Sequence, residues 1–264
     1  MTTLPRSNLS STIAGSAHGN GADMLLIHGV GMNADYWNNV APTLSAQFRL
    51  TMVDMPGHGK SPPLADPTPD LHQYTDAIAS AISKPTIVVG HSMGALIALD
   101  MAVRYPSLAN GIVVLNGIYR RSDAATKAIL QRVNELQTQN TIDPTPTLQR
   151  WFGESPKGVN ATAREQCLLW LQNINLQHYA AAYRAFANAD APADDQLSSI
   201  DCPTLFMTGE LEPNSTPAMA RVMSTLVVQS HCLIVEGAKH MMSMTHGPRV
   251  TDAIISHFGA TDNA

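Results

Sequence analysis

The chain reads as an α/β protein with a mostly parallel, doubly wound sheet and an inserted helical cap. Three observations predict this. Six short apolar runs, each closed by a turn signal, are continuous rather than alternating, which marks strands buried on both faces. Segments with helix-like apolar spacing lie between those runs. One gap, from Gly117 to Thr204, holds helical patterns and no strand candidate, and it is too long for a plain loop.

The expected strands are residues 24–27, 50–53, 86–89, 112–115, 204–207 and 233–235. Their turn signals are Gly29 and Gly31, then Asp54, Pro56 and Gly57, then Gly90, Asn116-Gly117, Gly209 and Gly237. Core helices are expected over 71–82, 95–105 (stopped by Pro106), 218–226 and 250–258. Cap helices are expected over 123–139, 147–152, 161–174 and 176–189, punctuated by Pro144, Pro146, Pro156 and Gly158. The resulting division is core over 1–118, cap over 119–199 and core again over 200–264.

Composition narrows the function classes. With 264 residues, 44% of them hydrophobic, the chain can bury one sizeable core. Its net charge is -5 and its longest basic tract is Arg120-Arg121, which excludes a nucleic-acid partner. Cys167, Cys202 and Cys232 are odd in number and widely spaced, which suits free thiols in a reducing compartment. No apolar stretch approaches the roughly 18 residues of a membrane helix. Residues 1–21 are polar and lack the apolar middle of a signal peptide. The expectation is a cytoplasmic protein with a small-molecule partner and no membrane.

Four short segments carry chemistry. Gly90-His91-Ser92-Met93-Gly94 follows an apolar run and opens a helix, so a sharp turn would thrust the Ser92 side chain clear of the sheet. The flanking glycines would keep strand and helix from clashing there. His28-Gly29-Val30-Gly31 follows the first clear core strand; such a loop can aim a backbone N–H at a substrate oxygen, with Met93 supplying a second. His28 itself reads as structural. Gly209-Glu210-Leu211-Glu212-Pro213 offers two acids on a loop after a strand, either able to orient a histidine. Gly237-Ala238-Lys239-His240 follows the last strand. Of the ten histidines only His240 and His246 fall in this region, and His240 is closer to its strand. The order is then serine, acid, histidine.

Together these segments resemble the α/β-hydrolase superfamily over nearly the whole chain outside the cap, and within it the small carboxylesterases and enol-lactonases. Residues 28–33 and 54–61 look like the family's two early loops, 90–94 like its nucleophile turn and 237–240 like its G-x-x-H loop. The family's acid usually stands three residues after the glycine closing its strand, which is Glu212 here, where aspartate is commoner. The resemblance implies a catalytic triad of Ser92, His240 and Glu212, with the N–H groups of Val30 and Met93 as oxyanion hole. It implies hydrolysis of a carboxylic ester or lactone through an acyl-enzyme, with no metal or organic cofactor. Relatives that hydrolyse carbon–carbon bonds usually carry tryptophan after the histidine, where this chain has Met241. That chemistry, or a cofactor-free lyase or oxygenase reaction on the same scaffold, is the alternative.

The cap is expected to select the substrate. Its aromatics include Trp151, Trp170, Tyr179, Tyr183 and Phe186. Arg120, Arg121 or Arg184 is expected to pair with a substrate carboxylate. Met241, Met242 and Met244 are expected to give an adaptable pocket wall.

Overall fold

The structure is a computed structural model and describes residues 5–138 and 142–259. Its strands are β1 (Ser7–Asn8), β2 (Ala14–His18), β3 (Ala22–Ile27), β4 (Phe48–Asp54), β5 (Thr86–His91), β6 (Ala109–Leu115), β7 (Thr204–Gly209) and β8 (Ser230–Val235). They form one sheet in the order β1-β2-β4-β3-β5-β6-β7-β8. Pairing is parallel from β4 to β8 and antiparallel only where β2 meets β1 and β4.

The six expected runs lie within β3 to β8; those of β3 to β7 are buried at their centres because helices cover both faces, and that of β8, at the sheet edge, is half-buried. β1 and β2 have no such signal. β2 is Ala-Gly-Ser-Ala-His, small residues held at the sheet edge by register with β4 rather than by apolar mass. Ser61 fixes its start: the hydroxyl donates to the Asp54 carbonyl at 2.6 Å and accepts the Ala14 N–H at 2.8 Å.

The core helices are α1 (Ala41–Leu44), α2 (Leu71–Ala79) and α3 (Met93–Arg104). The chain then continues through α4 (Asp123–Thr138), α5 (Thr145–Phe152), α6 (Val159–Asn173), α7 (Leu176–Asn188) and α8 (Asp194–Ser198). These five lie between β6 and β7, with no strand among the described residues there. The last residue expected in the first cap helix, Gln139, lies outside the described residues. Helices α9 (Pro217–Leu226), α10 (Met242–Thr245) and α11 (Gly247–Phe258) complete the fold. No helix among the described residues is long and apolar enough to cross a membrane.

Two features of this topology position the site. From β3 the chain moves outward to β4, then returns across β3 to lay down β5 on its other side. The loops leaving β3 and β5 therefore diverge, and a crevice opens at the carboxyl ends of these two strands, where ligands bind in open α/β sheets. Where α6 meets the core, the Cys167 thiol lies 3.8 Å from the Met32 sulfur and 3.7 Å from the Met244 sulfur, a contact of soft groups without ion pairs.

Candidate active site

Ser92 sits between β5 and α3 with φ 57° and ψ -115°, a conformation that L-residues rarely adopt. The turn is tight enough to exclude side chains beside it. A Cβ on Gly90 would stand 1.9 Å from the Gly94 carbonyl oxygen, and one on Gly94 would stand 2.3 Å from that of Ile27. The Ser92 N–H donates to the Leu115 carbonyl at 2.9 Å, which ties the turn to the end of β6. Met93 opens α3, so its N–H has no carbonyl within the helix to meet.

His240 reaches the same place from the loop after β8. Its Nδ1 lies 2.9 Å from Glu212 Oε2, and its carbonyl accepts the ring N–H of His91 at 2.9 Å. His91 precedes Ser92, so a hydrogen bond joins the histidine loop to the nucleophile turn. That bond places the His91 proton on Nε2. Burial, and then the facing His240, push the His91 pKa well below its ordinary value.

Glu212 is saturated with donors. Oε1 accepts the N–H groups of Asn214 at 2.8 Å and Ser215 at 3.3 Å, while Oε2 accepts from His240 and from Asn116 Nδ2 at 3.2 Å. Burial alone would raise this carboxyl; His240 and the two N–H groups outweigh it and hold the pKa below the ordinary value. Glu210, the other acid open in the sequence, is exposed and accepts the Gly237 N–H at 3.0 Å, so it staples the loop instead.

Asn116 is a site residue the sequence reading missed. It follows β6 with φ 55°, a left-handed conformation that asparagine tolerates better than most residues. The Asn-Gly pair signals a turn locally, but nothing in the chain announces a partner 96 residues away.

The loop after β3 packs directly against the serine, since a Cβ on Gly29 would lie 3.0 Å from Ser92 Cβ. Val30 follows and is 9% exposed. Two buried histidines hold this loop. His28 Nδ1–H donates to the Gly29 carbonyl and Nε2 accepts the Met55 N–H; His58 Nδ1–H donates to the Pro56 carbonyl and Nε2 accepts the Gly31 N–H. Both rings are therefore neutral. Burial, with the neighbouring His58 as a second cause, lowers His28 well below its ordinary pKa, and burial lowers His58 to about 4.

These values fix an acid limb of stability. The folded pKa of His58 lies below the unfolded 6.5, so its contribution is complete above pH 6.5 and is lost as pH falls toward about 4. Over that window the loss is on the order of 3 kcal/mol from His58 alone. Urea unfolding near neutral pH and near about pH 4.5 should show at least this difference. A flat profile would contradict neutral, buried histidines.

The cap closes over these groups unevenly. Trp151 lies parallel to the His240 ring, with centroids 5.8 Å apart and planes at 16°. Trp170 is half-buried and forms a wall shared by two cavities. One, of about 570 Å³, also meets Gly31, Asn33, Lys60 and His178; the other, of about 380 Å³, meets Asp35, Gln166 and Met244. Tyr183 packs between Tyr179 and Phe186. Met241 and Met242 are buried, at 1% and 0% exposure, and Met244 lines the second of these two cavities.

Two of the three expected arginines have partners within the protein. Arg120 pairs with Asp194 at 2.5 Å and covers the Tyr119 ring. Arg121 donates to the carbonyls of Ala187 and Phe186 and lies over the Phe186 ring, fastening the end of α7 to the start of the cap. Arg184 is exposed. Local sequence displays their charge but not these carbonyl and carboxylate partners, which lie more than sixty residues away for Arg120 and Arg121. Among the described residues, no three His, Cys, Asp or Glu side chains gather as a metal site.

Comparison with known proteins agrees with this geometry. A relative from Acinetobacter baylyi, named (E)-2-((N-methylformamido)methylene)succinate hydrolase, is 38% identical over 240 residues, covering 89% of this chain and 90% of its own. A pimeloyl-acyl-carrier-protein methyl ester esterase from Sodalis glossinidius is 29% identical over 231 residues, covering 85% of this chain and 88% of its own. The solved enol-lactonase from Burkholderia xenovorans LB400 shares the fold with a TM-score of 0.85 at 20% identity, over 96% of this chain and 99% of that one. The profile of the Alpha/beta hydrolase family matches residues 24–253. With that span matched, the chain belongs to the alpha/beta hydrolase family.

Proposed function

We propose that the chain is a serine hydrolase that cleaves the carboxylic acyl bond of a small organic substrate, an ester or lactone, through an acyl-enzyme. The observation that carries this is the 2.9 Å contact of His240 Nδ1 with Glu212 on a loop hydrogen-bonded to the turn that presents Ser92. With Nδ1–H directed at the carboxylate, the Nε2 lone pair is free to take the serine proton as Ser92 Oγ attacks the carbonyl. Glu212 stabilises the imidazolium, and the N–H groups of Val30 and Met93 receive the oxyanion. His240 then returns the proton to the leaving group and activates water to release the acid.

A second reading keeps this machinery and changes the bond. The A. baylyi relative is named for hydrolysis of an N-formylated enamine carrying a succinate. An N-acyl enamine is also an acyl donor, because its nitrogen leaves as an enamine stabilised by conjugation. The same Ser92 attack would serve it.

A fluorophosphonate probe tests the shared core. Wild-type protein is expected to label and Ser92→Ala to stay unlabelled; an unlabelled wild type would reject a serine hydrolase and leave a binding module. Among labelled outcomes, rates on p-nitrophenyl esters, lactones, (amidomethylene)succinates and ring-cleavage diketones separate the bond classes.

A further inference from the structure

The imidazole of His240 lies within a column of rings that runs from the core into the cap. At the core end Trp37 and Tyr36 meet edge to face, with centroids 4.8 Å apart, and both side chains are fully buried. Tyr36 stacks on His91 at 4.6 Å with planes at 21°. His91 meets His240 at 4.8 Å with planes at 57°. Trp151, in the last turn of α5, completes the column at 5.8 Å and 16°. It is the member that the cap supplies.

A second contact seats α5 on the histidine loop. Gly153 stops the helix two residues after Trp151, with φ 85°, and a Cβ there would lie 3.7 Å from Lys239 Cε. The edge of the imidazole is already committed. Nδ1 meets Glu212 at 2.9 Å, and Nε2 is the nitrogen left to take the serine proton. What Trp151 meets is a face. The indole presents to a cation the most attractive face of any side chain. The ionisable groups around the ring are Glu212 at its edge and His91 in the column, with Lys239 and Arg150 next to His240 and Trp151 in the chain.

We propose that Trp151 is a positioning residue for His240: stacked on the imidazole, it holds the ring in line and stabilises the imidazolium that forms as Ser92 gives up its proton. Trp151 exchanges no proton and forms no bond; it acts through the histidine. The attraction is weak for a neutral imidazole and strong for the cation of the transition state, which is the condition for raising a rate rather than an affinity. This rests on the serine-hydrolase reading, because it concerns how the histidine serves as base.

The test is the rate at which a small fluorophosphonate labels Ser92, followed from about pH 5 to 9 in wild type, Trp151→Leu and Trp151→Phe. Leucine keeps an apolar cover over the imidazole and removes the π face. Above the acid limb, Trp151→Leu should label about tenfold more slowly, with reversible affinity for the probe unchanged. The deficit should close as pH falls through the limb. There the resting enzyme already holds the imidazolium, so resting and transition states lose the same stabilisation. Trp151→Phe, with a weaker π face, should lose less and converge in the same way. An unchanged rate in Trp151→Leu overturns the proposal. So does a deficit of equal size at every pH, which is the mark of lost packing alone. If the leucine protein fails to fold, the phenylalanine protein decides by the same convergence. Wild type that does not label overturns the hydrolase reading and this one with it; wild type that labels, with variants that differ from it equally at all pH, overturns this proposal alone.

Discussion

Replacing Ser92 with alanine is expected to lower kcat by roughly 10⁴–10⁶-fold, by analogy with other serine triads, while leaving the fold intact. The hydroxyl is the only atom lost, and the turn does not depend on it. Ser92 makes no side-chain capping bond to α3, and its backbone N–H still reaches the Leu115 carbonyl. Replacing it with glycine abolishes turnover equally and separates strain from chemistry. A non-glycine residue at φ 57° and ψ -115° carries strain on the order of 1–3 kcal/mol. Glycine relieves that strain but returns about 0.4–1 kcal/mol of entropy to the unfolded chain. The Ser92→Gly protein should therefore be inactive and about 1 kcal/mol more stable in urea unfolding. An active Ser92→Ala protein, purified free of wild type, would remove the nucleophile from the mechanism.

Glu212→Gln should lower kcat by about four orders of magnitude, the effect of losing the tautomer that an acid imposes in comparable triads. The geometry says why so conservative a change is severe. Oε2 receives donors from both His240 and Asn116, so an amide NH₂ there would face two N–H groups. Turning the amide only moves the conflict to the N–H groups of Asn214 and Ser215 at the other oxygen. If the NH₂ stays toward His240, the imidazole proton shifts to Nε2, and the nitrogen needed to accept the serine proton becomes a donor. Stability should change with a definite sign. The Glu212 pKa is depressed on folding, so its contribution is present above the unfolded value of about 4.5 and is lost as pH falls through the folded value. The variant should lose stability at neutral pH and show a shallower acid limb below about pH 4.5. An equal loss at every pH would mean that the carboxylate charge is not what the site stabilises.

The parallel part of the sheet was readable because burial on both faces leaves continuous apolar runs, and no other common structure of that length ends in a glycine so regularly. The turn that carries Ser92 and the loop that carries His240 were readable because each is a local pattern following a strand. Glu212 was separable from Glu210 only by resemblance; in the structure the two differ in which N–H groups their loop turns toward them. The antiparallel β1 and β2 were not readable, because an edge strand of small residues gains its place from pairing rather than from mass. Asn116 and His91 escaped for one reason. Each is defined by a neighbour far along the chain, and no local pattern records that neighbour. Arg120 and Arg121 show the converse, since a visible local charge says nothing of the carbonyls and carboxylate it meets in the fold.

Every group assigned to bond breaking stands on a loop of the sheet, and the cap lends none of its own. Its hold on the sheet includes a seam of sulfur atoms at Cys167, Met32 and Met244, soft groups that tolerate reshaping because they demand no directional partner. Such a joint lets descendants exchange the upper storey without disturbing the furnace below. Appetite for a new molecule can then be acquired by changes in the lid alone, while the reaction carried out beneath it stays the same.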